Sequence, residues 1–105
     1  MQDYEKKQAM ITYQVKIKVD ESVEKKWLLW MKTEHVPDVI GTGLIRSFQI
    51  LKSASEDQLY HFDYHFNSIE DYHHYRKEFA PKLKAHPLEK FPNQFTAERE
   101  LWDWV

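Results

Sequence analysis

Cysteine is absent from the 105 residues, glycine occurs twice and proline four times. The first absence removes disulfide scaffolds, thiolate zinc centres and thiol nucleophiles together. Any metal would need His and carboxylate ligands. No apolar run approaches the roughly 20 residues of a membrane span. The opening stretch Met1-Gln-Asp-Tyr-Glu-Lys-Lys-Gln-Ala9 has neither an apolar core nor a small-residue cleavage site. A cytoplasmic location is therefore expected, and residues 1–9 read as a mobile N-terminal tail ahead of a single domain over residues 10–105. Nor does one charge sign prevail: fifteen Lys and Arg stand against seventeen Asp and Glu, for a net charge of -2. That balance offers no field for a phosphate backbone or an anionic bilayer, so neither nucleic acid nor membrane is an expected partner.

What the chain does have is aromatic surface. Four Trp, six Tyr and six Phe can bury enough area to fold one domain of this length despite a mean hydropathy of -0.75. Apolar residues alternate from Met10 to Val19, with Ile11, Tyr13, Val15, Ile17 and Val19 on one side, which predicts a half-buried strand. Asp20 or Ser22 is placed to cap a helix whose stripe is Val23, Trp27, Trp30 and Met31. Pro37 disfavours helical geometry at Val36, so the helix is expected to stop near His35 and give way to a turn holding Gly41 and Gly43.

Two strands, 44–52 and 58–66, follow around the loop Ser53-Ala-Ser-Glu-Asp57, with Phe48 expected opposite Phe62 and Ile50 opposite Tyr60. Ser68 and Asp71 resemble a capping box opening a second helix with Ile69, Tyr72, Arg76, Phe79 and Ala80 on one stripe. Pro81 is expected to end it or begin a new turn. After the proline-interrupted stretch 81–92, a last strand begins at Gln94, with Phe95, Ala97 and Leu101 on one side and Glu98, Glu100, Trp102 and Trp104 on the other.

The order strand, helix, strand, strand, helix, strand defines an α+β, ferredoxin-like β-α-β-β-α-β fold: a four-stranded antiparallel sheet with two helices on one face. Right-handed crossovers place the first and third strands centrally. The other face lacks a helical cover yet carries two indoles, a pattern that marks an interface. Two such sheets packed face to face form a dimeric α+β barrel, and a homodimer is the expected assembly. Around the first helix, Trp27-Leu-Leu-Trp30-Met31, His35-Val-Pro37-Asp38-Val39 and Thr42-Gly43 resemble in type and spacing the signature of a bacterial domain-of-unknown-function family, 4286, with Ser68-Ile-Glu-Asp-Tyr72 and Ala80-Pro81 as weaker matches. The resemblance implies a ferredoxin-like fold and brings with it no substrate or catalytic residue.

Candidate chemistry is sparse. His35 beside Asp38 is the candidate catalytic pair, an imidazole that a carboxylate could orient as a general base. The plainer alternative has His35 bonded to the last helical carbonyls and Asp38 organising the turn. Trp30, Thr42, Tyr72 and Arg76 are candidate ligand-binding residues, the guanidinium suited to an anionic group. Core packing of the aromatics and snorkelling of Arg76 explain the same residues without a ligand. His61, Asp63 and His65 share a strand face, but the two imidazoles stand about 13 Å apart along a strand, too far to share an ion that each would bind at about 2.1 Å. These three, with Trp102 and Trp104, are assigned to the dimer interface, and neither metal nor cofactor is implied. Two functions stay open: a homodimeric domain that binds a small molecule or acts structurally without catalysis, and a small cofactor-independent enzyme, of oxygenase or isomerase type, with a pocket between helices and sheet.

Overall fold

Alternating apolar side chains along Ile11–Val19 produce β1, whose inward set Ile11, Tyr13, Val15, Ile17 and Val19 is buried. The computed structural model describes residues 9–105, so the expected N-terminal tail lies, except for Ala9, outside the described residues. After a 3-10 turn at Glu21–Val23 come α1 (Glu24–Trp30), a π turn (Met31–His35) and α2 (Val36–Ile40). Then follow β2 (Ile45–Lys52), β3 (Leu59–Phe66), α3 (Ile69–Glu78), α4 (Ala80–Lys90) and β4 (Phe95–Asp103). The strands form one antiparallel sheet in the order β2-β3-β1-β4, the ferredoxin-like arrangement with the first and third strands inside. No helix among the described residues is long and apolar enough to cross a membrane.

The first helical segment departs from expectation. It does not stop at His35: Val36 is helical at φ -60°, ψ -44°, and the segment runs on to Ile40. Pro37 has no N–H to donate, and its ring disfavours a helical residue before it. The chain accommodates both by widening the turn beforehand, where Val36 N–H reaches back five residues to the Met31 carbonyl. Burial of Met31, Val36 and Val39 outweighs the local cost. Neither Asp20 nor Ser22 supplies a side-chain cap; Asp20 instead accepts from the Val23 amide through its own carbonyl. The glycine-bearing turn is shorter than expected and closes with Gly43 at φ +82°, a conformation open to glycine at little cost.

Ser68 does cap α3, its hydroxyl accepting from Asp71 N–H at 3.1 Å. The expected stripe holds at Ile69, Tyr72, Phe79 and Ala80, but in its middle Tyr75 is buried in place of Arg76, which is exposed. Pro81 opens α4 in its first turn, and Pro87 sits inside it. The β2–β3 register is offset by two residues from expectation: Phe48 faces Tyr64 and Ile50 faces Phe62. The loop extends further on its far side because Gln58 takes φ +65° and its side-chain amide donates to the Val19 carbonyl at 2.7 Å.

Trp27 closes the core. It is 0% exposed and packs edge-on to Tyr60 and Phe62, with ring centroids 5.1 and 5.8 Å away. Trp30 is only half-buried, and its ring meets Phe91 and His35. Trp27→Ala is therefore expected to cost about 3–5 kcal/mol and Trp30→Ala clearly less. Urea melts of both variants check the order, and equal losses would contradict this packing.

Candidate functional site

The pleat of the sheet sends Tyr13, Val15 and Ile17 of β1, Phe62 and Tyr64 of β3, and Phe95, Ala97 and Arg99 of β4 toward the helices. Between them and Met31, His35, Tyr75, Leu83, Lys84, Pro87 and Leu88 lies a cavity of about 210 Å³. Most of its wall is apolar or aromatic. The polar groups it meets are phenols, one imidazole and two cations, a lining typical of small-molecule pockets.

His35 reaches this cavity because the π turn ends on it. Its ring stacks on Trp30 at 5.8 Å and 21°, and its Nδ1 is buried without a hydrogen-bond partner. Burial lowers its pKa to about 4, against the opposing pull of the Asp38 carboxylate. At neutral pH it is therefore an uncharged imidazole. Burial likewise pushes the Tyr64 and Tyr75 phenols up and raises that of Tyr13, where the neighbouring Arg99 cation pulls the other way. All three tyrosines are protonated phenols at neutral pH and can donate a hydrogen bond.

The expected partners of His35 do not join it. Asp38 lies on α2 rather than in a turn, is exposed, and borders a separate depression with Pro37, Gly41, Thr42, Glu78 and Lys82. Since His35 Nδ1 has no partner, Asp38 does not orient the ring through it. Thr42 spends its hydroxyl locally, donating to the Val39 carbonyl at 2.9 Å. Tyr72 and Arg76 pair with each other, Arg76 Nη1 donating to the phenol oxygen at 2.8 Å, while the Tyr72 ring backs Tyr13 at 5.4 Å. None of Trp30, Thr42, Tyr72 and Arg76 borders the cavity; Trp30 and Tyr72 stand behind groups that do.

Arg99, Lys84, Tyr13, Tyr64 and Tyr75 were not among the residues singled out from the sequence as candidates for a site. One signal was available: in the alternation Phe95, Ala97, Arg99, Leu101, a charged residue occupies an inward-facing position. Lys84, one residue after the buried Leu83 on a proline-rich helix, carried no such mark.

On the opposite face, His61 is half-buried and Asp63 and His65 are buried. Trp104 Nε1 donates to Thr12 Oγ1 at 2.6 Å, and Thr12 Oγ1 stands 2.8 Å from His65 Nδ1. The Trp104 ring meets the His65 ring edge-on at 5.5 Å. Asp63 keeps one buried carboxylate oxygen without a partner. Trp102 and Trp104 remain 49% and 52% exposed.

The strand order and the helices on one face define a ferredoxin-like α+β domain. SnoaB, a cofactor-independent oxygenase from Streptomyces nogalater, superposes with a TM-score of 0.67 at 10% identity, over 92% of this chain and 94% of that one. A conserved protein of unknown function from Bacteroides thetaiotaomicron, described as a possible oxidoreductase, gives 0.71 at 13% identity, over 92% of this chain and 99% of that one. A conserved protein from Methanosarcina mazei gives 0.67 at 10%, over 96% of both chains. At such identities the likeness is one of fold. No curated protein sequence matches the chain. The chain belongs to the family DUF4286, a domain of unknown function, whose model matches residues 10–104.

The depressed pKa of His35 makes a pH prediction. Between about 4 and the ordinary 6.5 the unfolded chain holds a proton at this position that the folded chain does not. Stability from this group is thus complete above about 6.5 and falls as pH drops toward 4, by at most about 1.4 kcal/mol per unit. Proton NMR should show the His35 ring titrating below pH ~5, and His35→Gln should flatten the acid limb of the stability profile. A midpoint near 6.5 would mean that the ring is solvated.

Proposed function

We propose that this protein is a homodimeric small-molecule-binding domain of the bacterial cytoplasm, with its ligand held in the cavity between helices and sheet. The cavity carries the reading: about 210 Å³ walled mainly by apolar and aromatic side chains, with an uncharged His35 and three phenols as its neutral polar groups. Binding needs no catalysis, metal or cofactor. A second reading, a cofactor-independent enzyme of oxygenase or isomerase type, is favoured by one observation. His35 is half-buried and uncharged, with its Nδ1 buried and without a partner, and a proton acceptor must be uncharged. SnoaB, described as a cofactor-independent oxygenase, shares the architecture, and at 10% identity it lends the fold and not the chemistry.

The second copy is assigned to the open sheet face. Support comes from the two half-exposed indoles and from the Asp63 oxygen, which is buried in a single chain without the hydrogen bond that would offset its desolvation. Light scattering at micromolar concentration should return a dimer mass. Trp102→Ala combined with Trp104→Ala should weaken the dimer by about 2–4 kcal/mol if the indoles are central anchors. A monomer, or a dimer joined through its helices, would refute this assembly.

Ligand binding is tested by filling the cavity as well as by removing its polar group. In a ligand-observed NMR screen of aromatic fragments, hits should lose binding in Ala97→Phe and in His35→Ala while the dimer mass stays unchanged. His61→Ala with His65→Ala should do the reverse, altering the pH dependence of assembly and sparing the hits. Hits that survive both cavity variants would place binding elsewhere.

A further inference from the structure

The cavity is apolar, yet its rim carries positive charge that no acidic side chain answers. Lys84 of α4 and Arg99 of β4 both border it, and neither forms an ion pair within 4 Å among the described residues. The sheet pleat separates Arg99 from its natural partners, since Glu98 and Glu100 point to the opposite face. Arg76 adds a third cation nearby, committed to the Tyr72 phenol. The crowding leaves a mark: Arg99 first, then burial and Arg76, lowers the pKa of Lys84 below the ordinary lysine value. Like charges held together without a counter-charge destabilise the fold, and an anion between them relieves that cost.

Size and lining describe the rest of such a ligand. An engineered apolar protein cavity of about 150 Å³ holds benzene. At about 210 Å³ this one has room for one or two fused rings with a carboxyl group, and not for a long chain or a large polycycle. Aromatic walls at Tyr13, Phe62, Tyr75 and Phe95 suit ring edges and faces. Only the rim is cationic, which fits a molecule with a single charged end.

We infer that the cavity binds a small aromatic monocarboxylate, its ring among Tyr13, Tyr75 and His35 and its carboxylate between Lys84 and Arg99. The inference rests on the cavity reading above and adds the class of ligand. The Lys84 and Arg99 side chains donate charge-assisted hydrogen bonds to the two carboxylate oxygens, and the Tyr13 and Tyr75 phenols stand close by as further donors.

Calorimetric titration of the full chain with 2-naphthoate and with neutral 2-naphthalenemethanol separates the two levels. The carboxylate should bind at least about tenfold more tightly than the alcohol, the ordinary worth of a charge-assisted contact. Lys84→Gln with Arg99→Gln should erase that preference and leave the alcohol unaffected; both residues are exposed, so near-UV circular dichroism should match the parent. Millimolar inorganic phosphate should not displace naphthoate. Equal binding of the two probes, or a preference that survives the double variant, would overturn the carboxylate inference while the cavity reading stands. Displacement by phosphate would make the rim a site for free anions and overturn it as well. If neither probe binds, or if Ala97→Phe leaves both unaffected, the cavity reading and the inference fail together.

Discussion

The pleat of an antiparallel sheet gives each strand residue a fixed side, and in this protein only one side has helices on it. What the sheet places beneath the helices follows from that sorting: the tyrosines of β1 and β3, the Phe62 ring against which Trp27 packs and, on β4, an arginine that the alternation does not allow to turn outward. The same rule sends the Thr12, Asp63 and His65 side chains to the bare face, where Thr12 spends its hydroxyl on neighbours and Asp63 keeps an unanswered oxygen. One period of two thus writes both surfaces of the molecule, the enclosed one and the bare one.

Helical geometry contributes the second decision. A regular turn ending at Pro37 would lack a donor, and the chain resolves this one turn early by a hydrogen bond spanning five residues. Widened turns of this kind recur at functional sites because they re-aim a side chain without breaking the helix. The side chain at the end of this one is His35, held against Trp30 at the cavity wall. Its uncharged state follows first from burial, with His86 and Arg99 acting in the same sense and Asp38 against it.

How much of this was legible in the sequence depends on the range of the interactions involved. Strand alternation and capping spacing are local patterns, and all four strands and the Ser68 cap could be read from them, the strand order following from right-handed crossovers. The passage through Pro37 could not, because the local rule that forbids it was overcome by burying Val36 and Val39, a tertiary contribution. In the stripe of the second helical region only Arg76 departs: Tyr75 and Arg76 are adjacent, and packing against Tyr13 and Phe66 decides which faces inward. The hairpin register hung on the left-handed backbone at Gln58, a residue type with no marked preference for it. Of the site, His35 was visible and its setting was not. Arg99 is legible as the charged member of an inward series, although charge is usually a mark of solvent.

The strand order also leaves two open borders, β2 on one side and β4 on the other. Unpaired strand edges are templates for indefinite sheet growth, and both borders are poorly suited to it. On β4 the run Glu98-Arg99-Glu100 sets charge along the whole middle of the edge. On β2 the ladder to β3 slips between Ile45 and Ser47, which bends the strand away from a straight template, and Lys52 ends it. Growth by edge addition is thereby discouraged at each side of the sheet, whereas the bare face is a finite surface, one that a single layer covers once and no further.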